Sequence, residues 1–230
     1  MKLRLFTVAA ALIIVSMAHA QISVGVEVGP NFASQSSDAD GFEAGSTTGF
    51  YFGIPVDIML SDNICIQPSL AFMQKGSSSE YEFSVPNFYE TSVEADFKLN
   101  YLEIPILVNY LIGSGNIRPV IGVGPSIGFG MGYKSSGTST TKTTDPFTGD
   151  VTTTTDDIDD SGSFEDAGLS GIDFSVLIQA GVLMSDVGPG SLGLNLGYML
   201  GLANINDGGA NTLNNRGVKV ALMYKFPIGG

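Results

Sequence analysis

The stretch 101–133, YLEIPILVNYLIGSGNIRPVIGVGPSIGFGMGY, restricts the fold more than any other part of the chain. Leu102, Ile104, Ile106, Val108 and Tyr110 take every second position, with Tyr101, Glu103, Pro105, Leu107 and Asn109 between them. After Gly113-Ser114-Gly115-Asn116 the alternation resumes from Ile117 to Tyr133, and the intervening positions are mostly glycine. A period of two belongs to strands, whose side chains go to opposite faces in turn. A sheet in water hides its apolar face and wets a charged one. Here the second face is too small and too uncharged for a wet surface, so other groups must crowd against it.

The same period recurs along the chain, at 22–29, 48–60, 64–72, 101–110, 117–133, 171–184, 191–202 and 218–226. The links between these segments alternate in character. Long polar stretches lie at 34–46, 75–96, 134–168 and 204–215, and short turns at 61–63, 113–116 and 186–190. Short turns at one end and long loops at the other predict an all-β, eight-stranded antiparallel up-and-down transmembrane barrel. Its apolar face meets lipid, and its small residues line a lumen narrow enough for side chains to fill. Closure satisfies every backbone group. A soluble lipocalin-like barrel is the inverse arrangement, and it puts Gly25, Gly53, Gly122, Gly124, Gly128, Gly181, Gly193 and Gly197 in water. Phe50, Phe52, Phe72, Tyr110, Tyr133, Tyr198, Tyr224 and Phe226 are placed for interfacial girdles. Pro55, Pro68, Pro105, Pro119 and Pro125 fall inside strands, where each removes a ladder donor; bulges, or segments beyond the bilayer, are expected there.

At the N-terminus Lys2 and Arg4 precede an apolar run, 5–18, and Ala18-His19-Ala20. This is the layout of a secretory signal peptide cleaved after residue 20, which leaves 21–230 as one outer-membrane barrel domain. Cleavage removes both cations and takes the formal charge from −13 to −15. A charge of that sign excludes nucleic acid as a partner. His19 is the only histidine, so the mature chain has no imidazole for a triad or a metal site. Cys65 is the only cysteine and reads as a small strand residue. The glycines of 122–132 are followed by no helix, so they form no nucleotide fingerprint, and no cofactor is expected.

Two clusters carry charge. Glu27, Asp57, Glu103 and Asp173 share the lumenal phase with Arg118, Lys219 and Lys225, and opposite charges in that narrow space are expected to pair as a structural plug. Asp156, Asp157, Asp159 and Asp160 offer oxygen ligands to Ca²⁺, but their spacing is not that of an EF-hand, and a solvated acidic loop is the plainer reading. The segment 134–168 holds ten threonines and eight acidic residues; its threonine run, 138–155, suits a glycosylation or adhesion surface, but low complexity by itself predicts a mobile loop.

YLEIPILVNY followed by IRPVIGVGPSIGFGMGY, with the closing GVKVALMYKF, resembles the small outer-membrane barrels of the Bacteroidetes type, the PorT-like or "porin family" domain. The resemblance spans essentially the whole mature chain. It implies a Gram-negative cell-envelope protein with no catalytic residues to carry over, and Tyr224 and Phe226 stand where barrel-assembly machinery reads a closing strand. The expected function is non-enzymatic, structural or surface-interacting, with outer-membrane lipid around the wall and an extracellular protein or glycan as ligand. The alternatives are a lipid-modifying enzyme, which lacks histidine for nucleophile activation, and a narrow small-solute pore.

Overall fold

The computed structural model describes residues 21–42 and 44–228, so the predicted signal peptide 1–20 lies outside the described residues. Nine strands follow in order: β1 (Ile22–Ser37), β2 (Thr47–Met59), β3 (Ile64–Val85), β4 (Tyr89–Leu111), β5 (Ile117–Thr144), β6 (Val151–Gly162), β7 (Ile172–Val187), β8 (Gly190–Gly201) and β9 (Leu213–Ile228). All pairings are antiparallel. Eight strands close the ring, β5 passing directly to β7 and β9 returning to β1, while β6 pairs with β5 alone and stands outside it. The sequence count of eight is therefore the count of barrel strands, and the ninth comes from the segment read as a loop.

The two faces sort as the period predicts. Phe50, Phe52 and Ile54 on β2, Ile121 and Val123 on β5, and Leu194 and Leu196 on β8 are exposed on the outside. Tyr51, Cys65, Ala71, Met73, Leu107, Leu177 and Met199 are buried within. Glycine lines the lumen because that space is already taken. A Cβ on Gly122 would run into the Asn109 carboxamide, one on Gly128 into the Glu103 carboxylate, and one on Gly193 would lie 2.6 Å from Met223 Cε.

Several local expectations change. The stretch 75–96 continues β3 and β4, paired from Lys75↔Leu99 to Val85↔Tyr89. Likewise, 134–162 is not a mobile loop but the distal half of β5 and all of β6, paired from Tyr133↔Gly162 to Thr144↔Val151. Threonine is β-branched and suits a strand on either face. The result is a four-stranded arm, β3-β4-β5-β6, that carries the barrel wall outward by roughly ten residues, about 33 Å at the rise of a strand.

The strand prolines produce no bulges. Beside Pro55, Pro68, Pro105 and Pro125, two consecutive ladder pairs are missing and the register is unchanged across the gap, as from Val24↔Val56 to Glu27↔Gly53. Pro119 pairs with Val182 within an unbroken ladder. A bulge occurs elsewhere, at Asn100/Tyr101 opposite β5, where Tyr101 pairs with Gly130 and Asn100 with Gly132. Met131 is the extra residue, and beyond it the faces of β5 swap. Tyr133 consequently leaves the expected girdle and packs inward on Phe97, with ring centroids 5.4 Å apart.

Two of the long connections are tied to each other. Asp38 accepts the Thr212 amide at 2.5 Å, joining the β1–β2 loop to the β8–β9 loop, and that hydrogen bond holds its carboxyl below the usual carboxylate range. A depressed folded-state value means that the clamp is complete above the ordinary Asp pKa and is lost as pH falls through the lower one. In an NMR titration the Thr212 amide shift is expected to move with a midpoint below that of an ordinary Asp, and Asp38→Asn to abolish the transition.

Candidate functional site

Inside the ring the ionic groups are arranged in three groups. Lys225 pairs with Asp57, whose other oxygen accepts Gln67 Nε2 at 2.6 Å. Glu27 is held by Lys219 Nζ at 3.0 Å, Tyr51 Oη at 3.0 Å and Asn195 Nδ2 at 2.9 Å, and the Lys219 ammonium lies 4.2 Å from the centre of the Tyr51 ring. In the third group Lys75 Nζ reaches Glu103 Oε1 at 2.5 Å and Asp173 Oδ2 at 2.7 Å. Ser126 donates to Glu103, and Asn215 Nδ2 donates to Asp173 at 2.9 Å. These ionic groups are all nearly inaccessible to solvent, which fits ions that are both paired and hydrogen-bonded.

The lumen thus brings together six of the seven predicted charges: Glu27, Asp57, Glu103, Asp173, Lys219 and Lys225. Arg118 is not brought in. It sits at the short-turn end of the ring, half-buried, and its Nη2 donates to the Leu111 carbonyl at 3.1 Å. The cation that sequence reading missed is Lys75, which had been placed at the start of a loop. Its phase was available, because Cys65, Gln67, Ser69, Ala71 and Met73 all face inward and Lys75 is the next in that series.

The lumen is filled and roofed. The pocket between Asp57, Cys65, Asn109 and Lys225 holds ≈ 10 Å³, room for about one water. Cys65 is buried there as a free thiol 3.8 Å from Asn109 Nδ2. Above the Lys75 triad, Leu99, Tyr101, Phe164, Leu169 and Ile205 form an apolar lid, with Phe164 edge-on to Tyr101 at 5.0 Å.

The arm presents two unlike faces. Cross-strand pairing places Tyr81, Phe83, Val93, Phe97 and Ile158 on the face continuous with the lumen, and Glu80, Glu94, Lys98, Lys134 and Asp157 on the other. At the tip Phe83 and Tyr89 are tilted together at 6.4 Å, and Asp145 accepts the Phe147 and Thr148 amides, which lower its carboxyl pKa. The four candidate Ca²⁺ ligands lie along β6, where the strand period sends Asp156 and Asp160 to one face and Asp157 and Asp159 to the other. Asp160 accepts the Tyr133 hydroxyl at 2.7 Å and Asp159 meets Lys134 at 3.2 Å. Among the described residues no three acidic, histidine or cysteine side chains converge to hold a metal.

A closed eight-stranded ring with an apolar exterior, an ion-paired lumen and strands extended at one end is the geometry of an outer-membrane barrel. The family described as "Outer membrane protein beta-barrel domain" matches residues 17–207. The chain belongs to this family. As an outer-membrane barrel it has its short turns in the periplasm and its long connections outside the cell. Among solved structures it is similar to Neisserial surface protein A, at 13% identity over 90% of this chain and 97% of that one, with a TM-score of 0.48. It is also similar to Ail, the attachment invasion locus protein of Yersinia pestis, at 13% identity over 90% and 99% with a TM-score of 0.43. The outer membrane protein OprG from Pseudomonas aeruginosa stands at 14% identity over 90% and 97%, with a TM-score of 0.43. No curated protein sequence matches the chain.

Proposed function

We propose that this outer-membrane barrel is a non-enzymatic surface-interaction protein in which the barrel is a sealed anchor and the arm meets the ligand. The observation that carries this reading is the tip of the arm. Tyr81 and Phe83 on β3 and Phe88 in the turn after it are about half exposed, and Phe147 in the turn between β5 and β6 is 95% exposed, at the end of strands that lead out of the membrane. Clustered apolar side chains held away from lipid are the usual mark of a contact surface. The filled lumen gives a solute no path, and planar-bilayer recordings are expected to show no stable conductance. The partners on this reading are outer-membrane lipid around the wall, assembly machinery reading Tyr224 and Phe226, and an extracellular protein or glycan on the arm. The finer affiliation with Bacteroidetes-type PorT-like barrels is supported by the 101–133 hairpin and the closing strand.

The test trims the arm without disturbing register. Residues 81–93 and 139–156 are each replaced by Asn-Gly, joining the pairs Glu80↔Glu94 and Thr138↔Asp157 by two-residue turns. Proteoliposomes of the intact protein are expected to bind members of a printed protein and glycan array, and the trimmed barrel, still heat-modifiable on gels, to lose that binding. Equal binding by both would sink the reading. So would release of fatty acid from labelled envelope lipid. Protease shaving of intact cells gives an independent check of topology. Cuts are expected near residues 40, 87, 147 and 209, and none in the turns at 61–63, 113–116 or 186–190.

A further inference from the structure

The outermost strand of the arm has a neighbour on one side only. Thr144 sends its N–H to the Phe88 carbonyl on the β4 side, and Asp145 sends its own to the Asp150 carbonyl on the β6 side. The β5–β6 ladder runs from there to Tyr133↔Gly162 without a register shift. The main-chain groups of Thr152, Thr154, Asp156, Ile158 and Asp160 therefore face β5. Those of Val151, Thr153, Thr155, Asp157, Asp159 and Ser161 point away from the sheet, because alternate residues of an antiparallel strand bond to opposite sides. Every residue of β6 except Ile158 and Gly162 is exposed, so no other described segment covers this edge.

An edge of this length is normally blunted by charged side chains, proline, a bulge or a covering loop. Of these β6 has only charge, all of one sign: four aspartates, of which Asp159 and Asp160 contact Lys134 and Tyr133 on the neighbouring strand. Antiparallel pairing of two copies about the middle of this stretch sets Asp156 against Asp160 and Asp157 against Asp159. Like charges directly across a ladder are destabilising, so the acid rejects a second copy while leaving the backbone groups available. The same charges attract a strand of opposite sign.

We propose that β6 is a docking edge for an extended segment of a partner protein, which adds to the arm as a fifth strand. The segment carries lysine or arginine opposite the acidic stretch and β-branched residues opposite Thr153 and Thr155. Main-chain pairing supplies the contact, and charge and side-chain alternation supply the selectivity. This rests on the surface-interaction reading and names the partner's chemistry.

The probe is a fluorescein-labelled (Val-Lys)4 octapeptide, read by anisotropy against the full mature protein in lipid nanodiscs. Controls are (Val-Glu)4 and a (Val-Lys)4 with every amide N-methylated, which keeps the charge but has no N–H left to donate along either edge. Binding of (Val-Lys)4 is expected to weaken at least tenfold in the N-methylated peptide, in Thr155→Pro and in Asp156→Lys/Asp157→Lys. Thr155→Pro removes an N–H that points away from β5 and so leaves the hairpin bonded; a preserved heat-dependent gel shift confirms that each variant is folded. Equal binding of the N-methylated peptide would overturn the proposal by showing simple charge attraction, as would an undiminished Thr155→Pro variant or a dimer formed through β6. Absent peptide binding together with arm-dependent array binding would remove the docking edge and leave the surface-interaction reading standing. Absence of both would remove both.

Discussion

Replacing Lys75 by methionine is expected to lower the unfolding free energy of the barrel by about 3–5 kcal/mol, the cost of stranding a buried charge. Lys75 is fully buried, and its ammonium is shared by Glu103 and Asp173. Methionine keeps most of the volume, so the loss comes from two carboxylates left facing each other in a dry lumen. Urea titration in phospholipid vesicles, followed by tryptophan-free probes such as tyrosine fluorescence or by the heat-dependent gel shift, measures it. The triple variant Lys75→Met/Glu103→Gln/Asp173→Asn is expected to recover most of the deficit, because a buried ion cluster replaced whole by neutral groups is often close to neutral in stability. Lys134→Met is the contrast. Its partner Asp159 is exposed, and the change is expected to stay within about 0.5 kcal/mol. A Lys75→Met barrel as stable as the original would mean that the triad is not a structural plug.

That lysine also shows where the sequence stops being readable. Within the bilayer, lipid demands an apolar residue at every second position, and the alternation marks strand, face and phase together. Beyond the bilayer the demand ends but hydrogen bonding between strands does not. β3 therefore runs on from Phe72 to Val85, and β5 from Tyr133 to Thr144, through stretches whose composition is that of a loop. Lys75 lies just past this boundary. Carrying the phase of Cys65, Gln67 and Ser69 forward, instead of stopping where hydrophobicity stops, puts it in the lumen with Glu103 and Asp173. The threonines of β6 were obscured in the same way.

Other differences left weaker traces. The extra residue at Met131 reverses the faces of β5, and the only local sign is that Gly130 and Gly132 flank it. Tyr133 and Phe129 look like members of one series, yet one packs against the lid and the other faces lipid. Arg118 has the right phase but lies so close to the 113–116 turn that its long side chain meets the Leu111 carbonyl before any lumenal carboxylate. The prolines were legible as a conflict but not in their resolution. Each removes one donor, and four of the five sit beside two missing ladder pairs, without a shift in register that would have rotated every later side chain to the wrong face.

The assignment of the outer face to lipid leads to a second large effect, at Ile178. It lies halfway along β7 and is 52% exposed, between Val123 on β5 and Tyr198 on β8. Ile178→Arg is expected to cost about 2–4 kcal/mol of unfolding free energy in vesicles, the penalty for arginine at the bilayer midplane. Met184→Arg, on the same face near the periplasmic turn, is expected to cost only about 0–1 kcal/mol. The gradient carries the information. In water both substitutions would be harmless or favourable, since each removes an exposed apolar side chain. If a protein partner covered this face, the cost would follow local packing rather than depth. A cost that rises toward the middle of the strand and falls toward its end is the response of a bilayer, whose polarity changes over about 15 Å from interface to centre.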